Sequence, residues 1–188
     1  MNSRIYTHHR GEQAKVSKPH RKTVQMLKDL IRVNKDRITG YEKAAHEDNK
    51  MEPSIRNMFG RMATESRSYV NSLHAEVIRL GGAPVTQDTI TGKVYLFWLD
   101  LKVDFKASSA TSGATEAAAS ATPISWLLAA CERGEEAMQN VYRQALDTSD
   151  HLPDNILMLL ERQLGALEQS HLLIKNTRSG YRSNYRPL

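Results

Sequence analysis

Four stretches of this chain repeat apolar residues at steps of three and four, and they fall two and two on either side of residues 83–122. Leu27, Leu30, Ile31, Ile38, Tyr41 and Ala45 mark the first stripe, and Met58, Phe59, Met62, Tyr69, Leu73, Val77 and Leu80 the second. Leu127, Leu128, Cys131, Met138, Val141, Tyr142 and Ala145 mark the third, and Leu160, Leu164, Leu167 and Ile174 the fourth. This spacing predicts amphipathic helices over about 21–48, 53–80, 123–146 and 153–176. The punctuation agrees. Pro53 and Pro123 suit first helical positions, where a missing N–H costs nothing, with Thr122 as cap before the second of them. Gly81-Gly82 supplies a left-handed C-terminus, and Pro84 blocks resumption. Asn176 and Gly180 mark the far end of the last helix, with the residues after it expected to fray.

The gap between the two pairs decides the topology. An up-and-down bundle needs only short loops, whereas consecutive helices that run the same way need a long return. The expectation is therefore an all-α fold, a ferritin-like antiparallel four-helix bundle with a long crossover between helices 2 and 3. Within the crossover, Val94-Tyr95-Leu96-Phe97-Trp98-Leu99-Asp100-Leu101 reads as a short buried helix, with Trp98, Leu101 and Phe105 on one face. Residues 107–122 are a low-complexity tract of small residues, unable to bury enough apolar area to offset ordering. The bundle spans 21–178, between a basic tail over 1–20 and another over 179–188.

Composition excludes several classes. No stretch approaches the length of an apolar membrane span. The N-terminus lacks the apolar segment of a secretory signal, and one cysteine, Cys131, rules out an internal disulfide, so a cytoplasmic location is expected. P-loop, dinucleotide, Gly-x-Ser-x-Gly and Cys-x-x-Cys motifs are missing. The net charge of +5 is uneven: residues 1–25 hold six Lys/Arg against Glu12, residues 175–188 hold four and no acid, and the body between is mildly acidic. Such ends can attract nucleic acid or simply solvate the chain.

Several phrases resemble an uncharacterised bacterial family of ferritin-like four-helix-bundle proteins, a domain-of-unknown-function family. They are LKDLIRVNKDRITGYEKAAHE, LHAEVIRLGGAP, GKVYLFWLDLK, ACERGEEAMQNVYRQAL and RQLGALEQSHLLIKNTR, together covering roughly residues 23–178. The resemblance implies the bundle fold and says nearly nothing of activity.

A di-metal carboxylate bundle needs a Glu from each of two helices and a Glu-x-x-His from each of the others, three residues being about one turn. In ferritin-like chains the helix-1 and helix-3 Glu lie seven residues before a Tyr. Here Tyr41 leads back to Asn34, an amide, and Tyr142 leads back to Glu135. The helix-2 positions, counted from Gly81, are Ser66 and Tyr69, with Glu65 adjacent, whereas helix 4 supplies Glu168 and His171. Glu135, Glu168 and His171 are thus the candidate metal ligands, for Fe, Mn or Zn. The competing expectation is a hydrogen-bonded mid-bundle polar cluster of Asn34, Ser66, Tyr69, Glu135 and His171. Glu42, Glu132, Glu136, His46, His74 and His151 are expected at the surface, His8 and His9 in the tail, and Cys131 as core filler. No catalytic residue is assigned.

The reading that follows is a non-enzymatic bundle with a degenerate di-metal site, acting through its surface or by self-association as a homodimer, with Tyr95, Phe97 and Trp98 offering a contact. The alternatives are a metal-binding protein of iron or oxidative-stress handling, and a nucleic-acid-associated protein using its basic tails.

Overall fold

A computed structural model describes residues 18–47, 51–85, 123–147 and 152–184. Four helices account for nearly all of them: α1 Lys18–Glu47, α2 Pro53–Arg79, α3 Pro123–Asp147 and α4 Asp154–Asn184. No strand occurs among the described residues. The tails over 1–17 and 185–188, the apolar run 94–101, the tract 107–122, and His8, His9 and His151 lie outside them.

The helices end where local chemistry dictates. Pro53 opens α2 without a side-chain cap. Its C-terminus closes as a Schellman turn, with Gly82 N–H donating to Val77 O at 2.8 Å and Gly81 N–H to Ile78 O at 2.9 Å. Gly81 takes φ 77°, a left-handed value that favours glycine. Gly82 is needed for a different reason: a Cβ there would stand 2.7 Å from Val24 Cγ1 on α1. α4 runs past the expected end near Asn176, continuing through Gly180 to Asn184. Ion pairing of Arg178 with Glu132 of α3, at 2.8 Å, and packing of half-buried Tyr181 against the core tie down that extension.

Cross-helix contacts fix every direction. On α1 and α3, Asn34 meets Tyr142 while Tyr41 meets Glu135, so these helices are antiparallel. On α2 and α4, Arg79 meets Asn155, Glu65 meets Ser170 and Met58 meets Thr177, again antiparallel. The α1–α2 and α3–α4 hairpins are antiparallel as well, through Val24–Gly82 and Tyr41–Phe59 in one and Tyr142–Gln163 and Glu132–Arg178 in the other. Therefore α2 and α3 run in the same direction across the bundle's diagonal, and the chain between them has to return from one end to the other. The directions expected from the long connection are met.

The core is one cluster drawn from all four helices, including Leu27, Ile31, Phe59, Leu73, Leu128, Met138, Ile156, Leu160 and Ile174. Tyr41 and Phe59 stack within it at 5.7 Å. No helix among the described residues is long and apolar enough to cross a membrane.

Candidate functional site in the polar interior

Midway along the bundle the apolar core gives way to polar side chains with no exposure. The seven-residue spacing in α1 and α3 explains their arrangement. Asn34 and Tyr41 lie two turns apart on α1, Glu135 and Tyr142 two turns apart on α3, and the helices are antiparallel. Each tyrosine therefore reaches the polar residue of the opposite helix. Tyr41 donates to Glu135 Oε1, and Asn34 Nδ2 donates to the Tyr142 hydroxyl at 2.7 Å.

Between these crossings lies Arg37, wholly buried. Its Nε donates to Glu135 Oε1 at 2.7 Å and its Nη2 to Oε2 at 3.2 Å, a two-pronged pair. Its Nη1 reaches α2, donating to Ser66 Oγ at 2.7 Å, Met62 O at 3.2 Å and Glu65 Oε2 at 3.2 Å. The guanidinium also sits 5.1 Å from the centre of the Tyr41 ring. Ser170 on α4 donates to the same Glu65 oxygen at 3.3 Å, so one cation links all four helices, directly or at one remove. Burial alone would lower the Arg37 pKa, but Glu135, Tyr41 and Glu65 overcome it and hold it above its ordinary value. Burial and then Glu135 push up the pKa of Tyr41 and that of the Cys131 thiol.

A neutral cluster sits beside the charged one. The Tyr142 hydroxyl accepts from Asn34 and donates to Gln163 Oε1 at 2.8 Å, and Asn34 Nδ2 also donates to Leu30 O at 2.8 Å. Asn34 Oδ1 and Gln163 Nε2 find no hydrogen-bond partner among the described residues. Burial raises the Tyr142 pKa, so its hydroxyl stays protonated.

Glu135, Glu168 and His171 are not brought together. Glu135 faces the interior, where Arg37 and Tyr41 hold it. The Glu168 side chain is 45% exposed and pairs with Arg143 of α3 at 2.8 Å. His171 is half-buried, its Nδ1 enclosed without a hydrogen-bond partner among the described residues. The reason is rotational. The inward line of α4 runs through Gln163, Leu167, Ser170 and Ile174, all buried. Glu168 and His171 each lie one residue past that line, about 100° around the helix. Among the described residues no three His, Cys, Asp or Glu side chains converge so as to hold a metal ion.

Asn34, Ser66 and Glu135 lie in the polar cluster, and Tyr69, half-buried, sets its enclosed hydroxyl beside Glu65 at the edge of it, where burial and then that carboxylate raise its pKa. Arg37, Gln163 and Glu65 join. Glu132 is a correction, being buried rather than solvated, as is His74, half-buried with its Nε2 enclosed. Glu42, Glu136 and His46 are exposed, and Cys131 is buried in the core.

Residues 22–148 match the family model described as Domain of unknown function (DUF2383). The chain belongs to the DUF2383 family. No curated protein matches the chain, and no solved structure does. The stretch of this DUF2383 chain that matches contains Asn34, Arg37, Tyr41, Ser66, Glu135 and Tyr142, and α4 lies beyond it.

Proposed function

We propose that this DUF2383 protein is a non-enzymatic helical scaffold of ferritin-like descent, in which an arginine side chain stands where a bundle oxidase carries metal. It acts through its surface or by self-association. The supporting observation is the Arg37–Glu135 pair. Glu135 is the ligand that a di-metal site would retain on α3, and both its oxygens are engaged by Arg37, with Tyr41 added on one. The amide of Asn34 and the hydroxyl of Ser66, at the matching positions of α1 and α2, bring no charge to neutralise a second cation, and the Glu168 carboxylate is turned to Arg143. A guanidinium supplies one fixed positive charge, cannot change oxidation state and leaves no open coordination position. Fixing the register of four helices is the work this geometry suits.

Elemental analysis of tag-free protein tests the reading. Fe, Mn and Zn far below one per chain are expected, with a thermal midpoint that added Mn, Fe or Zn leaves in place. Stoichiometric metal that disappears in Glu135→Gln or His171→Ala would overturn it in favour of a metal-binding role in iron or oxidative-stress handling.

A further inference from the structure

Polarity and exposure are mismatched in opposite ways at two places on the outside of the bundle. On α4 the outward Met158 and Leu172 are 69% and 47% exposed. On α1, Val33, Asp36 and Gly40 are buried, Asp36 to 5% exposure, although each stands one residue before an interior-facing side chain, Asn34, Arg37 and Tyr41. One residue is about 100° around a helix, so these three positions face sideways or outward. On α3, Ala130 and Gly134 stand in the same relation to Cys131 and Glu135 and are buried too, Ala130 to 1%. Because α1 and α3 are antiparallel neighbours, the same sense of rotation carries both sets to one side of the seam between them. Contacts with the other helices lie on the opposite flanks, through Glu42 with Arg67 of α2, and through Glu132 with Arg178 and Arg143 with Glu168 of α4. Neither α2 nor α4 covers this side, so its cover lies outside the described residues.

We propose that this side of the α1–α3 pair is the docking surface for the chain's own residues 94–105, which carry the return from α2 to α3 around α1 and not around α4. The ends fit. The described chain stops at Val85 and resumes at Pro123, and the covered part of α3 begins at Ala130, two turns into the helix that the return enters. The return has to climb the length of α3, about 37 Å at about 1.5 Å per residue. Residues 86–122, fully extended, could span roughly three times that, so length admits either way around and burial decides between them. Within that stretch the apolar area is concentrated in Val94 to Leu101 and Phe105, and Trp98, Leu101 and Phe105 recur at steps of three and four. Residues 107–122 offer only small side chains, and the polar tail over 1–17 joins α1 at the end remote from Gly40. Shape agrees with this occupant. Gly40, Ala130 and Gly134 make the seam shallow where large apolar side chains have to lie, and close packing favours large against small. The same route leaves Met158 and Leu172 of α4 in the open, as they are. The assignment does not depend on the scaffold reading or on whether the interior holds metal.

Photocross-linking of the full-length chain carrying Trp98→p-benzoylphenylalanine, mapped by peptide mass spectrometry, decides it. Cross-links are expected within one chain, to residues 33–40 of α1 or 130–137 of α3. Cross-links to α2 or α4, or between two chains, overturn the proposal, and so does the lack of any. A double-mutant cycle gives a second reading. Ala130→Glu should lower the thermal midpoint of the parent by about 5 °C, because the new carboxylate is trapped under the docked run. In a chain already carrying Trp98→Ser and Leu101→Ser the same substitution should cost less than half as much, since the carboxylate then reaches water. Equal losses in the two backgrounds overturn the proposal.

Discussion

The charged and the neutral polar clusters lie one turn apart on α1, yet they are built to different standards. Around Arg37 the ionised groups meet several partners, and the guanidinium alone has donors on Glu135, Ser66, Met62 and Glu65. Around Tyr142, one amide oxygen and one amide nitrogen go without partners among the described residues. The difference follows from the cost of desolvation. An uncompensated buried ion is far more destabilising than an unpaired amide, so a charge persists in a core only when it is paired and hydrogen-bonded. The neutral cluster can tolerate an orphan at a cost the rest of the bundle absorbs.

The largest effect should come from breaking the charged cluster on one side only. Arg37→Met leaves Glu135 buried without its cation and should lower unfolding stability by about 3–5 kcal/mol, as read in urea titrations. Adding Glu135→Met should recover most of that loss, since apolar replacement of a whole buried pair is often neutral. Equal losses in the single and double variants would show that packing, not charge, dominates here. Tyr142→Phe is the neutral counterpart. It removes the hydroxyl between Asn34 and Gln163 and should cost about 1–3 kcal/mol, clearly less than Arg37→Met. If it costs as much, the two clusters do not differ as argued. Ser66→Ala sharpens the contrast from within, because Arg37 Nη1 retains Met62 O and Glu65. A loss near 1 kcal/mol is expected in the same titration.

The smallest effect concerns His74, whose pKa burial and then nearby Lys35 lower from 6.5. Well above pH 6.5 the imidazole is uncharged in folded and unfolded chains alike, and contributes no pH dependence. As pH falls through 6.5 the unfolded chain takes up the proton first, so stability declines until the folded imidazole also titrates. Thermal midpoints of His74→Gln should fall less than those of the parent between neutral pH and pH 5. Parallel curves would remove His74 from the account.

Much of this fold was legible in the sequence. Periodicity, two prolines and a glycine pair placed four helices, and the length of the connection implied the shared direction of α2 and α3. The interior was legible where polar residues fell on the assigned stripes, as Asn34, Glu135 and Tyr142 do. It was missed where a stripe was placed one residue off. On α1 the inward line is Leu30, Asn34, Arg37, Tyr41 and Ala44, at alternating steps of four and three, and all five are buried. Choosing Ile38 for that turn hid Arg37, because an apolar neighbour outranks a charged one in any hydropathy reading. On α4 the same slip chose Leu164 and His171 over Gln163 and Ser170. The alternating step was the signal available, and obeying it through a charged residue would have found the arginine. What periodicity could not supply was the pairing across helices that makes a buried charge tolerable.

Cys131 has a practical consequence. The chain's lone thiol is fully enclosed, and burial and then Glu135 push its pKa upward, so thiolate is scarce at neutral pH while the helices stay closed. Labelling by an aromatic disulfide reagent must therefore wait for the bundle to part, which makes its rate a stopwatch for native-state opening. No reporter group has to be engineered, and the same clock can time every variant named above without denaturant.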